Sequence, residues 1–139
     1  MSLTQIATED VVTASPDTGV TDALDMLEDN RVGSVVIVED DRPVGIVTDR
    51  MIALGVRDVD SIDEMTVEDV MTEDLVTIGH DANHIEAVQT MNDEAIRRLP
   101  IVDDDDELAG IITLDDIIVV TSAELSNAAD VISQQAKPL

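Results

Sequence analysis

The sequence repeats itself, and this internal repeat constrains the fold more than any other feature. Residues 45–48, Gly-Ile-Val-Thr, return 65 positions later as Gly-Ile-Ile-Thr at 110–113. Further upstream the offset is 64, where Thr-Glu-Asp at 8–10 matches Thr-Glu-Asp at 72–74. The one-residue change in offset falls in the acidic run 103–107, where a hairpin turn accommodates an insertion. The chain is therefore predicted to contain two tandem copies of one structural unit.

Both copies show the same order of predicted elements, namely a short strand, an amphipathic helix, two strands joined by an acidic turn, and a second helix. This order predicts an α/β (α+β) fold in which two β-α-β-β-α repeats cover each other's sheets. We place repeat 1 with its N-terminal segment at 1–60, and repeat 2 with a C-terminal helix at 61–139. The predicted strands are 11–13, 34–39, 43–48, 75–78, 99–102 and 108–113; the predicted helices are 22–29, 49–55, 83–92, one opening at Leu114, and one from Ser122 that Lys137-Pro138 ends.

Charge and composition exclude several classes of function. Thirty-two acidic residues against seven basic ones give a net charge of −25, which repels nucleic acid and anionic membranes. Because the acid excess is spread along the whole chain, we expect adaptation to a salt-rich cytoplasm. Cysteine is absent, which excludes thiolate metal sites and cysteine nucleophiles. No long apolar run or leader is present, so we expect a cytoplasmic protein without a membrane span.

Four short motifs, together with the repeat, resemble the cystathionine-β-synthase (CBS) domain pair. They are the repeated Gly-Ile-Val/Ile-Thr, Val-Gly-Ser-Val-Val-Ile-Val at 32–38, Asp-Val-Met-Thr at 69–72 and Arg-Arg-Leu-Pro-Ile-Val-Asp at 97–103. The resemblance extends from about Ile6 to Val120, and the acidic composition is similar to stand-alone archaeal members of the family from halophiles. It implies a regulatory module whose repeats pack about a pseudo-twofold axis and often form homodimers. The implied ligand is AMP, ADP, ATP or S-adenosylmethionine, with or without Mg²⁺. The protein that the module regulates is an effector of unknown identity.

The resemblance also implies which residues bind the ligand. Thr113 matches the position that contacts phosphate, and Asp116 matches the acid that binds the ribose hydroxyls. In the first repeat Thr48 is followed three residues later by Met51, so we expect one competent site and one impaired site. We expect the competent cleft to be completed by Val32, Gly33 and the segment before Val11. Arg97 and Arg98 match basic positions that approach the phosphates. The residues expected in the opposite cleft are Thr48, Arg50, Val70, Met71, Thr72 and Ile96.

Each of these residues also has a purely structural interpretation. Thr113 and Asp116 can cap a helix without any ligand. Arg97 and Arg98 can form surface ion pairs, and alternation along a strand lets at most one of them point into a given cleft.

Metal binding and catalysis have weak support. His80 and His84 are four residues apart, but His80 aligns with Pro16 in a turn of the first repeat and His84 with Val20, so structural roles are favoured over a metal site. The acidic run 103–107 lacks the ligand spacing of a calcium loop and is interpreted as a solvated turn. No nucleophile motif or phosphate-binding loop occurs, so we expect no enzyme activity. Two rivals remain: a non-sensing structural or adaptor homodimer with degenerate sites, and a hydrolase built on the same fold.

Overall fold

The computed structural model describes residues 2–136 and contains two three-stranded sheets, each covered by helices. Three 3₁₀ turns, Val56–Asp58, Ile62–Glu64 and Val67–Asp69, form most of the connector between the repeats. The elements are α1 Leu3–Ile6, β1 Thr13–Ala14, α2 Val20–Asn30, β2 Ser34–Glu39, β3 Arg42–Thr48, α3 Asp49–Gly55, β4 Ile78–Gly79, α4 His84–Glu94, β5 Arg98–Val102, β6 Leu108–Thr113 and α5 Leu114–Gln135.

The two sheets have the same topology, which confirms the predicted tandem α/β fold. In the first, β1 pairs in parallel with β2, and β2 pairs antiparallel with β3. In the second, β4, β5 and β6 pair in the same way. Even the register shifts coincide, at Ile37/Val38 and at Ile101/Val102. Each sheet buries apolar, β-branched side chains under its helices, so each repeat has its own core.

The hairpin turns explain why the repeat changes offset by one residue. The first turn is short, with Asp40 at φ 51° and Asp41 at φ 65°, a left-handed conformation that Asp tolerates better than most residues. The second turn is longer, and the Asp103 carboxylate accepts hydrogen bonds from the backbone N–H groups of Asp105 and Glu107. The acidic run therefore forms a turn, as predicted, and the Asp103 side chain caps it.

The segments that precede the two repeats are exchanged between them. Leu3, in α1, is fully buried in the core of the second repeat, while Val67 is fully buried in the core of the first. The exchange continues along the backbone, because Thr8 pairs with Ile111 and the Thr72 N–H donates to the carbonyl of Ile46. Each repeat is thus completed by the segment that precedes the other.

This exchange gives the repeated glycine a physical reason. A Cβ placed on Gly110 would lie 3.0 Å from the carbonyl oxygen of Thr8, and one on Gly45 would lie 3.2 Å from that of Thr72. The same Cβ on Gly45 would also lie 2.5 Å from the sulfur of Met71. A side chain at either position would push the exchanged backbone back by a few tenths of an ångström, so glycine favours this close approach at both positions.

The structure differs from the sequence prediction at several element ends. The 22-residue α5 is one continuous helix, whereas two helices were expected from Leu114 and Ser122. The first strand of each repeat is only two residues long, and α1 was not predicted. Lys137-Pro138, the predicted helix end, lies outside the described residues, and the division at residues 60 and 61 stays a prediction. Within residues 2–136, no helix has both the length and the apolar character needed to cross a membrane.

Candidate functional site

A cavity of about 170 Å³ lies between the repeats and brings together the predicted site residues of both. Thr113 and Asp116 come from the second repeat, at the junction of β6 and α5. Val32 and Gly33 come from the first repeat, in the loop between α2 and β2. The lining residues are Thr8, Asp10, Val11, Val12, Val32, Gly33, Ser34, Arg98, Ile111, Thr113 and Asp116. Of the residues predicted for the second-repeat cleft, Val32, Gly33, Arg98, Thr113 and Asp116 therefore lie around one cavity, and Arg97 is not among those lining it.

Thr113 and Asp116 form a capping box at the start of α5. The Asp116 N–H donates to the Thr113 hydroxyl at 3.1 Å, and the Asp116 Oδ2 accepts from the Thr113 N–H at 3.2 Å. The structural interpretation of these residues is therefore correct. It does not exclude binding, because a carboxylate offers about four lone-pair positions and both residues remain half-exposed at the cavity wall.

Arg97 and Arg98 have different environments, because Arg98 is the first residue of β5 and Arg97 precedes the strand. Arg98 lines the cavity, and a Cβ placed on Gly33 would lie 2.5 Å from its guanidinium nitrogen, so the absence of a side chain at Gly33 makes room for this arginine. Arg97 instead donates to Asp115 at 2.9 Å in an ion pair whose side chains are 69% and 75% exposed. A neighbouring hollow of about 240 Å³ is lined by both arginines, Thr113 and Asp115, so the two spaces share a wall.

The residues predicted for the opposite cleft are not among those that line this cavity. Thr48 caps α3 by accepting from the Met51 N–H at 3.2 Å, in the place where the second repeat has Thr113 and Asp116. Arg50 is exposed on the first turn of α3. Met71 lies against Gly45, next to Thr72.

Ile96 and Val70 serve mainly in packing. Ile96 packs against the core of the second repeat. Val70 packs against the core of the first repeat and lies close to Gly55.

The two histidines occupy different elements. His80 lies in the turn after β4 and makes a 2.9 Å contact with the Asp104 carboxylate in the hairpin turn. This hydrogen bond raises the pKa of His80 above its ordinary value of 6.5. His84 is the first residue of α4, so the two do not share a helix face. Among the described residues, no group of three or more His, Cys, Asp or Glu side chains is arranged to hold a metal ion.

Ser34 and Ile111 line the cavity but were not identified from the sequence. Ile111 lies two residues before Thr113 on β6, so strand alternation puts both on the same face of the sheet. Ser34 directly follows Val32 and Gly33 in the chain. The strand period was a usable signal for Ile111, whereas the role of Ser34 depends on where the loop meets the second repeat.

Comparison with known proteins agrees with this architecture. The family model of the CBS domain matches residues 3–58 and 67–122. An uncharacterised protein of Methanopyrus kandleri is 39% identical over 122 residues, which cover 86% of this chain and 62% of that protein. The chain therefore spans less than two thirds of this relative's length.

Solved structures share the fold at lower sequence identity. A CBS domain pair in complex with 5′-methylthioadenosine and S-adenosyl-L-methionine has a TM-score of 0.80 and 24% identity, covering 89% of this chain and 98% of that one. A protein called CBSX2, in complex with AMP, has a TM-score of 0.77 and 24% identity, covering 88% of this chain and 97% of that one. At this level of identity these structures show a common fold.

Proposed function

The chain belongs to the CBS domain family, and on that premise we propose that it is a regulatory module that binds an adenosine-containing ligand. The observation that carries this proposal is the cavity in which Thr113, Asp116 and Arg98 meet the loop of the other repeat. The two structures of the same fold that hold AMP or S-adenosylmethionine support the ligand class.

The chemistry of the cavity suits a nucleoside with a small charge. The Asp116 carboxylate can accept hydrogen bonds from two vicinal ribose hydroxyls. The N-terminus of the 22-residue α5 carries partial positive charge and, together with Arg98, attracts one anionic group. Val11, Val12 and Ile111 supply aliphatic surface for a base, in a chain that has no aromatic residue.

The charge balance favours AMP or an adenosyl sulfur compound over ATP. Arg98 is the one basic residue among those lining the cavity, and it is accompanied by the carboxylates of Asp10 and Asp116. A triphosphate would bring several negative charges to a chain whose net charge is already −25. This repulsion is long-ranged at low salt and is screened at high salt, where the Debye length is ~3 Å at 1 M.

The asymmetry of the repeats leads to one ligand per chain. Met51 stands where Asp116 stands in the other repeat, and a thioether is at best a weak hydrogen-bond acceptor. Met71 packs beside Gly45 where the second repeat has the smaller Ala7 beside Gly110. We propose that the first-repeat site, including Thr48, Arg50, Thr72 and Ile96, is impaired for ribose binding.

Signalling would occur by population shift in a cytoplasmic homodimer. Occupancy can change the packing of the two repeats only if the ligand binds one arrangement more tightly than the other. Since the cavity wall comes from both repeats and from the exchanged N-terminal segment, closure on a ligand would draw these three parts together. An effector protein would read this change, and the module itself would perform no catalysis and need no Mg²⁺.

The proposal is tested by calorimetry in molar salt with AMP, ATP and S-adenosylmethionine as separate probes. Wild-type protein should bind AMP or S-adenosylmethionine at a stoichiometry of one, and Asp116→Ala and Thr113→Ala should weaken that binding. Native mass spectrometry of protein purified from its own host would report ligand and oligomer together. If no probe binds while a dimer persists, the adaptor interpretation is correct; if a nucleotide turns over with Mg²⁺, the module is an enzyme.

A further inference from the structure

The C-terminal half of α5 stands apart from the body of the protein. Every residue from Thr121 to Ala136 is exposed, and Leu125 and Ile132 are 70% and 68% exposed. This stretch is about four helical turns long. Isolated helices up to about 12–15 residues long are marginal in water, this segment is only slightly longer, and packing of an apolar face usually supplies most of a helix's stability. Among residues 2–136, nothing covers the apolar side chains of this segment.

Three large exposed apolar residues of α5, Ile118, Leu125 and Ile132, recur every seven residues, with the smaller Thr121 and Ala128 between them. Val119 and Val131, 69% and 54% exposed, lie off this spacing. Ile118, Thr121, Leu125, Ala128 and Ile132 are separated alternately by three and four residues along α5. This spacing keeps the side chains in one narrow seam, which is the pattern by which two helices pair. We call these five residues the α5 seam. Large aliphatic groups alternate with small ones, which allows a close helix approach.

The charge distribution points to a second copy of this chain as the occupant. From Ile117 to Gln135 the helix has two charged residues, Glu124 and Asp130, in a chain with 28% charged residues. Neither occupies a seam position, and the stretch has no Lys or Arg. Two copies of a −25 chain meet with the least repulsion where their surfaces are uncharged. A positively charged partner protein would need carboxylates beside the seam to attract it. Because few carboxylates flank the seam, such a partner is not favoured.

The α5 seam is continuous with an apolar groove on the body. The groove, about 500 Å³, lies between α4 and α5, and its lining includes Ile85, Val88, Ile118 and Leu125. Ile85 is 59% exposed and Ile118 is 52% exposed. Because Ile118 and Leu125 belong to both the groove and the seam, the helix extension and the body present one uninterrupted apolar surface.

We propose that the α5 seam of one chain pairs with the α5 seam of a second copy, and that the adjoining α4–α5 groove is closed by the same contact. Such an interface is isologous, since each chain contributes the same residues. The proposal names the surface of the proposed homodimer and rests on that part of the proposed function. It does not depend on which ligand binds in the cavity.

Sedimentation equilibrium of the full chain in molar salt tests the seam. The double variant Leu125→Glu/Ile132→Glu keeps good helix formers and should weaken dimerisation at least about a hundredfold, because it buries like charges opposite each other. Leu125→Ala should weaken it in the same direction by about tenfold, and it guards against misfolding of the double variant. Val119→Glu, at a residue that is 69% exposed on the same helix but off the seam, should leave the dimer unchanged.

The outcomes separate the two levels of the proposal. A dimer that withstands both Leu125 variants overturns the seam and leaves the homodimer standing. If Val119→Glu weakens the dimer as much as Leu125→Glu/Ile132→Glu does, the seam is also refuted. In that case added negative charge anywhere on the helix would weaken dimerisation. A wild-type chain that is monomeric throughout refutes the homodimer and the seam together, while AMP titration of the same sample reports on the cavity independently.

Discussion

Asp116→Asn separates the two roles that the structure gives this residue. The substitution keeps the shape and one acceptor oxygen of the side chain, so the capping box with Thr113 can still form. It removes the negative charge that is proposed to hold the ribose hydroxyls. Hydrogen bonds to a charged group contribute about 1.5–3 kcal/mol. Loss of this contribution corresponds to a roughly 10- to 150-fold increase in Kd for AMP.

The cost to folding should be smaller than the cost to binding. A carboxylate near a helix N-terminus stabilises the helix by about 0.3–1 kcal/mol, and this contribution is partly screened in salt. Urea unfolding and AMP calorimetry on the same preparation give both quantities. The expected result is a large change in affinity with a change in unfolding free energy below about 1 kcal/mol.

Asp115→Asn provides the matched control. Asp115 is the neighbouring residue in the same helical turn, carries the same charge and pairs with Arg97, but it does not line the cavity of Asp116. Asp115 lines the neighbouring hollow but not the cavity, and its ion pair with Arg97 is exposed, so its substitution should leave the Kd for AMP within about a factor of three. Equal weakening by both variants would mean that the helix attracts AMP only through its overall charge. An unchanged Kd in Asp116→Asn would refute the ribose role.

Three other perturbations have defined outcomes. Gly33→Ala should displace the Arg98 guanidinium, since a Cβ at this position would lie 2.5 Å from a guanidinium nitrogen. The variant should weaken AMP binding with little loss of stability. Gly19→Ala, where the nearest neighbour of the added Cβ lies at 3.6 Å, is the calorimetric control. The pKa of His80 is raised in the folded state by its hydrogen bond to Asp104, so the pair stabilises the fold below pH 6.5 and this contribution is lost as pH rises through the folded-state pKa. Melting temperatures measured from below pH 6.5 to above the folded-state pKa of His80 should fall as the pH rises. The variant Asp104→Asn should reduce this dependence on pH. Raising salt to the molar range should increase the free energy of unfolding, because screening reduces repulsion among charges that sum to −25, and a denaturation midpoint that falls with salt would contradict salt adaptation.

The sequence predicted the long, strongly patterned elements well. Strand β2 and helix α3 have the predicted bounds, because β-branched runs and turn residues mark their ends. The four-residue α1 was missed since a helix of one turn has no measurable period, and the burial of Leu3 arises from packing against a distant part of the chain. The expected boundary between two helices near Ser122 was wrong: no glycine or proline interrupts the sequence between Leu114 and Gln135, and α5 runs through it as one helix.

The site was predictable where it follows local rules. Strand alternation and the capping pattern are written into the sequence around Thr113 and Asp116. Arg98 begins β5 and lines the cavity, whereas Arg97 lies before the strand and pairs with Asp115, so strand alternation does not account for Arg97. The packing of Met71 on Gly45 joins an exchanged segment to strand β3 of the first repeat, and no rule about neighbouring residues in the sequence predicts it.

The exchange of segments between the repeats has a consequence for how such a chain can be made and how it could have arisen. The first repeat cannot complete its core until Val67 has left the ribosome, and the second takes Leu3 from the earliest part of the chain. A single repeat on its own would have an unfilled position in its hydrophobic core, and the apolar residue of its own N-terminal segment would have no core to enter. An ancestor with one repeat would have needed two chains that exchanged their N-terminal segments. Fusion of the two copies makes this exchange intramolecular, at a high effective concentration.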